Sequence, residues 1–170
     1  MILRRLIATL ALLWGMTSAV DAATPDKLLD LRQPRVVADA LREAGFKAEM
    51  KTNTKGEPYV ESSTNGSSFT IEFYHCTGLV DCSSYQFASW YKADPLFTPA
   101  FANEWNITKR FLKIAVDKDG NLNEYMDFTA TGKTTYANFA DIVDWYQTMD
   151  ASLAKFINEH KSAAKSKSYR

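Results

Sequence analysis

The chain has 170 residues, 46% of them hydrophobic and 13% aromatic, with 20 basic and 20 acidic side chains. That is enough apolar material for one compact domain with a proper core. The balanced charge excludes nucleic acid as the main partner, because phosphate binding needs a basic footprint.

Residues 1–22 stand apart from that domain. Met1 to Arg5 is short and basic, the next eleven residues are apolar, and Val20-Asp21-Ala22 fits a cleavage site. The pattern predicts a secretory signal peptide cut after Ala22, hence an exported, periplasmic protein. Its apolar run is too short for a bilayer, which takes about 20 residues. No stable membrane insertion is therefore expected after cleavage. Cleavage removes two basic groups and one acidic group, leaving a net charge of −1.

Residues 23–33 read as a linker into Pro34, which suits the first position of a helix. Val36, Val37, Ala40, Leu41 and Ala44 form one apolar stripe. Gly45 then ends the helix, with Phe46 just beyond to close the contact. Phe46 to Thr52 predicts a strand, Asn53-Thr54-Lys55-Gly56 its turn, and Pro58 to Ser63 a second strand. Asn65-Gly66 is a strong hairpin signal, because both central residues of a type I′ turn need positive φ.

The central stretch, Ser68 to Tyr91, is two β-type runs joined at the only two cysteines, Cys76 and Cys82. Side chains alternate between faces along a strand. If Cys76 faces Cys82, Phe73 lies across from Tyr85 and Ile71 across from Phe87. The apolar rings then coincide on one face, and both sulfurs fall on the other. Opposed residues of a non-hydrogen-bonded pair are about 4.5 Å apart at Cα, within a disulfide's reach. In an exported chain the pair is expected to be a structural disulfide.

Residues 92–97 are rich in turn formers, and Thr98-Pro99 starts a short helix on which Phe101 and Trp105 share a face. Arg110 to Val116 and Leu122 to Thr129 predict a last hairpin with Gly120 left-handed in its loop. This sets Val116 against Leu122 and Leu112 against Met126, but it puts Glu124 on the apolar face. A long helix follows over Thr135 to Glu159, where Tyr136, Phe139, Val143, Tyr146, Met149, Leu153 and Phe156 make a wide stripe suited to lying on a sheet. Residues 160–170, with Lys161, Lys165, Lys167 and Arg170, read as a basic flexible tail. The whole is an α+β domain over 34–159: a twisted antiparallel sheet of about six strands, an N-terminal helix, a short middle helix and a long C-terminal helix, in the order α-β-β-β-β-α-β-β-α.

No catalytic residues are assigned, and no metal or cofactor is expected. His75 and Cys76 are strand neighbours and point to opposite faces, so they do not converge on one ion. Asp117-Lys118-Asp119-Gly120-Asn121 looks like the start of a calcium loop, yet its glycine comes too early and Phe128 stands where the bidentate glutamate belongs. Five residues separate the cysteines and a strand precedes them, unlike a redox pair at a helix N-terminus. No nucleophile elbow, P-loop or dinucleotide fingerprint occurs. What remains is surface. Tyr74 and Trp90 share the side of the central hairpin opposite its rings, where they either bind a peptide or second subunit, or lie under the first helix or a loop.

The run GFKAEMKTNTKGEPYVESSTNGSSFTIEFYHC, then CSSYQF, then FANEWNITKRFLKIAVDKDGNLNEYMDF and a closing amphipathic helix resembles the YbjN family. Its most specific parts are Gly56 and Pro58, the Phe73-Tyr74-His75-Cys76…Cys82 joint, and Asn103-Glu104-Trp105-Asn106 followed by Arg110-Phe111. Thr131-Gly132-Lys133 departs from the pattern, which has a glycine pair there. The family is labelled a bacterial sensory transduction regulator, and its fold is similar to type III secretion chaperones. The resemblance implies a non-enzymatic role in binding an unidentified protein or peptide, regulatory or chaperone-like, and the chaperone analogy adds a homodimer. Trp105 reads as a wedge between helix and sheet and Asn106 as a polar clasp at the helix end; the alternative is that both line a binding groove. Two other functions stay open: a periplasmic enzyme or redox protein using Cys76 and Cys82, and a structural envelope component.

Overall fold

The computed structural model describes residues 24–168, so the predicted signal peptide lies outside the described residues. In chain order the elements are β1 (Leu28–Leu29), α1 (Pro34–Glu43), β2 (Ala48–Thr52), β3 (Pro58–Thr64), β4 (Ser67–Thr77), β5 (Val80–Tyr91), α2 (Pro99–Thr108), β6 (Lys113–Val116), β7 (Leu122–Thr129), β8 (Thr134–Thr135) and α3 (Tyr136–Ser168). Six strands pair antiparallel in the order β2-β3-β4-β5-β7-β6, and β1 with β8 makes a separate two-stranded ribbon. The fold is the α+β sheet with a long C-terminal helix that the sequence predicts.

Local chemistry places most boundaries. Pro34 opens α1, and Gly45, at φ 88°, closes it: its N–H donates to the Arg42 carbonyl while Phe46 N–H reaches back to Leu41. Only glycine holds that left-handed backbone without strain. Thr98 Oγ1 accepts from Phe101 N–H at 3.2 Å to cap α2. Asn65 and Gly66, at φ 50° and 81°, make the turn between β3 and β4.

The register of the central hairpin is the predicted one. Ile71 faces Phe87, Phe73 faces Tyr85, and Cys76 faces Cys82. Val116 also faces Leu122 across β6 and β7, which commits Glu124 to the apolar face opposite Ile114. α1 packs on β2, β3 and α3. α3 crosses the rings of the same face, with Tyr146 4.8 Å from Phe69 and 5.0 Å from Phe87 between centroids. α2 sits beside β6 and meets α3 through Trp105 and Phe156.

The structure departs from the sequence reading in three places. Cys76 and Cys82 are bridged, Sγ–Sγ 2.08 Å, but the bridge is not outside: Cys82 is fully buried and Cys76 half-buried. Alternation does not carry through the joint, because His75 and Asp81 both have φ 53° and the register shifts after Cys76. The N-terminal segment also closes on this end. Cys82 N–H donates to the Arg32 carbonyl at 2.8 Å, and the Arg32 guanidinium pairs with Asp81 at 2.9 Å.

Residues 24–33 are accordingly no bare linker. Leu28 and Leu29 pair with Thr135 and Thr134, Tyr136 N–H donates to the Lys27 carbonyl at 2.7 Å, and Leu29 and Leu31 are buried. Finally, α3 continues to Ser168, past the Glu159 end that the sequence predicts, so the basic segment is helical that far. Alanine and lysine are good helix formers. Lys161 pairs with Asp94 at 2.9 Å and His160 Nε2 lies 3.3 Å from Glu104, which hold the continuation against the body.

Replacing both cysteines with serine should lower the unfolding free energy by about 2 kcal/mol, the loop-closure entropy of so short a bridge. Urea titration of the two proteins measures it; coincident curves would show that the bridge contributes nothing.

Candidate functional site: the open face of the sheet

Pairing arranges the face away from α1 and α3 in rows. One row reads Glu49, Glu61, Thr70, Ala88, Tyr125, and the next Lys51, Tyr59, Glu72, Gln86, Asp127. Trp90 lies opposite Asn123, and Tyr74 opposite Ser84. Trp90 is 63% exposed and Tyr74 37% exposed. The packing of α1 and α3 is with the ring face, so neither covers these two aromatics.

Polar side chains link the strands across this face. Tyr74 Oη donates to Glu72 Oε2 at 2.9 Å and lies 3.1 Å from Gln86 Oε1, while Gln86 Nε2 donates to Asp127 Oδ1 at 2.7 Å. Partial burial, and then the Glu72 carboxylate beside it, hold the Tyr74 phenol above its ordinary pKa. At the β2 side Lys51 pairs with Glu61 at 2.9 Å, and that contact raises the lysine. The arrangement sets hydrogen-bonding carboxylates beside exposed rings, and aromatic side chains are the type enriched at protein contacts.

The other two residues singled out by the sequence lie elsewhere. Trp105 is fully buried, its Nε1 donating to the Leu112 carbonyl at 3.0 Å, so it wedges α2 into the core and lines no open groove. Asn106 clasps the outer edge of β6. Its Nδ2 donates to the Ile114 carbonyl at 2.9 Å, and its Oδ1 accepts Ile114 N–H at 3.0 Å. A side-chain amide thus takes the place that a further strand's peptide group would occupy.

A buried acidic cluster escaped the sequence reading. Glu124, 1% exposed, accepts from Tyr146 Oη at 2.9 Å, while its Oε2 finds no partner among the described residues. Asp150, 4% exposed, accepts from Asn65 Nδ2 at 2.8 Å, and the same amide donates to the Gln147 carbonyl at 2.8 Å. Burial, and then repulsion from Asp150, push the Glu124 carboxyl up to about 8. The same carboxyls, with burial first, raise the Tyr146 and Tyr91 phenols. Glu124 was visible in the sequence as an acid out of place on an apolar strand face. Asp150 sits among the apolar residues of α3 and gave no warning. With Glu124 and Tyr146 both at 1% exposure, a substrate cannot reach them in this conformation.

The histidines sit in different elements: His75 is exposed in the hairpin, and His160 packs against Phe156 with ring centroids 4.2 Å apart, near Glu104. Cys82 is buried, so an attacking thiolate would meet Cys76 first. Residues 33–158 match the sequence profile of the YbjN family, whose description is "Putative bacterial sensory transduction regulator". No curated protein matches the chain.

Two measurements check this placement. Trp105→Ala should cost about 3–5 kcal/mol in urea unfolding, as loss of a large core ring does, whereas Trp90→Ser should stay within about 0.5 kcal/mol. Equal losses would mean that Trp90 is a packing residue. Glu124 binds its proton more tightly when folded than when unfolded. Its stabilising effect is therefore complete below about pH 4.5 and is lost as pH rises through about 8. Glu124→Gln should flatten the fall of the thermal midpoint over that window and stabilise the protein at pH 8.5 by about 1–3 kcal/mol. A midpoint profile identical to that of the parent would refute the assignment.

Proposed function

The chain belongs to the YbjN family, and from that premise we propose that it is an exported, non-catalytic regulator that holds a protein or peptide on the open face of its sheet. The observation that carries this reading is the exposure of Trp90 and Tyr74 on a face that α1 and α3 leave free. A solvent-facing sheet surface needs no indole for solubility, and tryptophan and tyrosine are the residues that most often anchor a protein contact. The family description supports a regulatory rather than a catalytic role, and a disulfide-bonded pair accords with an oxidising compartment. A chaperone-like action, with a client segment laid along the sheet, is the finer form of the same reading.

The deciding experiment compares capture by the parent protein with capture by a Tyr74→Ser/Trp90→Ser double variant from periplasmic extract, quantified by mass spectrometry. The expected result is a polypeptide reproducibly retained by the parent and lost, at least tenfold, from a variant whose circular dichroism and melting are unchanged. Retention by both proteins would move the binding surface elsewhere.

A further inference from the structure

We infer that the open face binds an extended polypeptide segment by seating a lysine or arginine side chain between Glu61 and Glu72. The inference rests on the partner-binding reading of that face and adds the chemistry of what it holds.

Two grooves on the face run into one another and share Glu61, Thr70 and Glu72. Trp90 and Ala88 line the first, and Tyr59 and Tyr74 the second. The register explains the shape. Thr70 lies opposite Ala88, two small residues side by side in the middle of a surface of longer ones, so the sheet dips there. Glu61 borders the dip across the β3–β4 pair, Glu72 borders it two residues along β4, and Trp90 two residues along β5. A cation in the dip has the Glu72 carboxylate to pair with, shares Glu61 with Lys51, and has the Trp90 indole along the same groove as a cation–π partner.

Charge argues for the same occupant. The face carries Glu49, Glu61, Glu72 and Asp127 against Lys51 and Lys113, and Lys47 just before β2 pairs with Glu49 at 3.2 Å. Lys51 is shared between Glu61 at 2.9 Å and Glu49 at 3.7 Å. Lys113 Nζ turns to the end of α2, donating to the carbonyls of Asn106 and Lys109 at 3.0 and 2.8 Å. Among the described residues no cation pairs with Glu72 or Asp127, which accept only from the Tyr74 hydroxyl and the Gln86 amide. The unneutralised charge therefore lies at the centre of the face, where a partner's cation completes it.

The dimensions fit a strand-like segment. Ser68 to Tyr74 spans roughly 20 Å at about 3.3 Å per residue, the length of some six extended residues. Such a segment places alternate side chains on the sheet, a cation at the dip and apolar groups toward Trp90 and Tyr59.

The probe is a capped peptide, Leu-Thr-Lys-Val-Lys-Thr-Leu, with analogues carrying Gln or Glu in place of both lysines. Each is titrated into the ¹⁵N-labelled, disulfide-bonded protein in dilute salt. The lysine peptide should shift the Thr70 and Glu72 amides and the Trp90 indole, with both analogues at least tenfold weaker. Glu72→Gln should weaken the lysine peptide at least tenfold, and physiological salt should weaken it as well. Equal binding by the Gln analogue at these residues, or no shift on the face, overturns the inference. So do concentration-dependent shifts of the protein alone at these residues, which would assign the face to a second copy. The captured partner separates this inference from the reading beneath it. A partner lost from the double serine variant but kept by Glu72→Gln removes the cation and leaves the surface, whereas one kept by both variants removes the surface itself.

Discussion

The antiparallel register between β4 and β5 is the constraint on which the rest of the molecule depends. It collects Phe69, Ile71, Phe73, Tyr85 and Phe87 on one face, all buried. Each such side chain gains about 1.5–3 kcal/mol on leaving water, so the face has to be covered, and α1 and α3 cover it. A one-residue slip of either strand would turn its own share toward solvent, Phe69, Ile71 and Phe73 on β4 or Tyr85 and Phe87 on β5. The same parity that sends the rings inward sends Thr70, Glu72, Tyr74, Gln86, Ala88 and Trp90 the other way. The core and the candidate binding surface are two consequences of one pairing.

The sheet's edges show how the face is kept available without inviting unwanted pairing. At β6 the Asn106 carboxamide bonds both backbone groups of Ile114, which closes that edge to another strand. At β2 the Arg42 Nε donates to the Ala48 carbonyl at 2.9 Å, and Glu49 and Lys51 place charges on the strand. Charged and blocked edges of this kind are how sheets avoid edge-to-edge association. At the hairpin end, the N-terminal segment and the disulfide hold the joint through Arg32. What the edges leave open is the flat of the sheet rather than its rim.

The buried carboxyls run against the economy of the core. Glu124 lies opposite Ile114 and Ser89, directly beside the Trp90–Asn123 pair whose side chains occupy the open face. A domain's whole stability is of order 5–15 kcal/mol, so a carboxyl held far from water is a sizeable charge against it. Part of the return is positional: Asn65, fixed in its turn by its left-handed backbone, ties that turn to the middle of α3 through Gln147 and Asp150. Ser62 and Thr64 on β3, whose buried hydroxyls find no hydrogen-bond partner among the described residues, extend the polar strip inside the core.

Read alone, the sequence determined the three helices and the six strands of the main sheet, their order and the pairing of the central strands, because those follow from short-range rules: alternation along a strand, spacing on a helix, glycine and asparagine where φ must be positive. It also determined that Cys76 meets Cys82, since the register that joins the rings joins the sulfurs. Three-dimensional packing decided the rest. Parity could not place the bridge at the surface or in the core, because His75 and Asp81 leave β geometry at the joint and the N-terminal segment packs there from elsewhere in the chain. Nor could it show that Trp105 is buried while Trp90 is exposed, or that an acid on β7 would meet another on α3. Burial belongs to the assembled layers. Only when α1 and α3 settle on one side of the sheet does the other side become a surface at all.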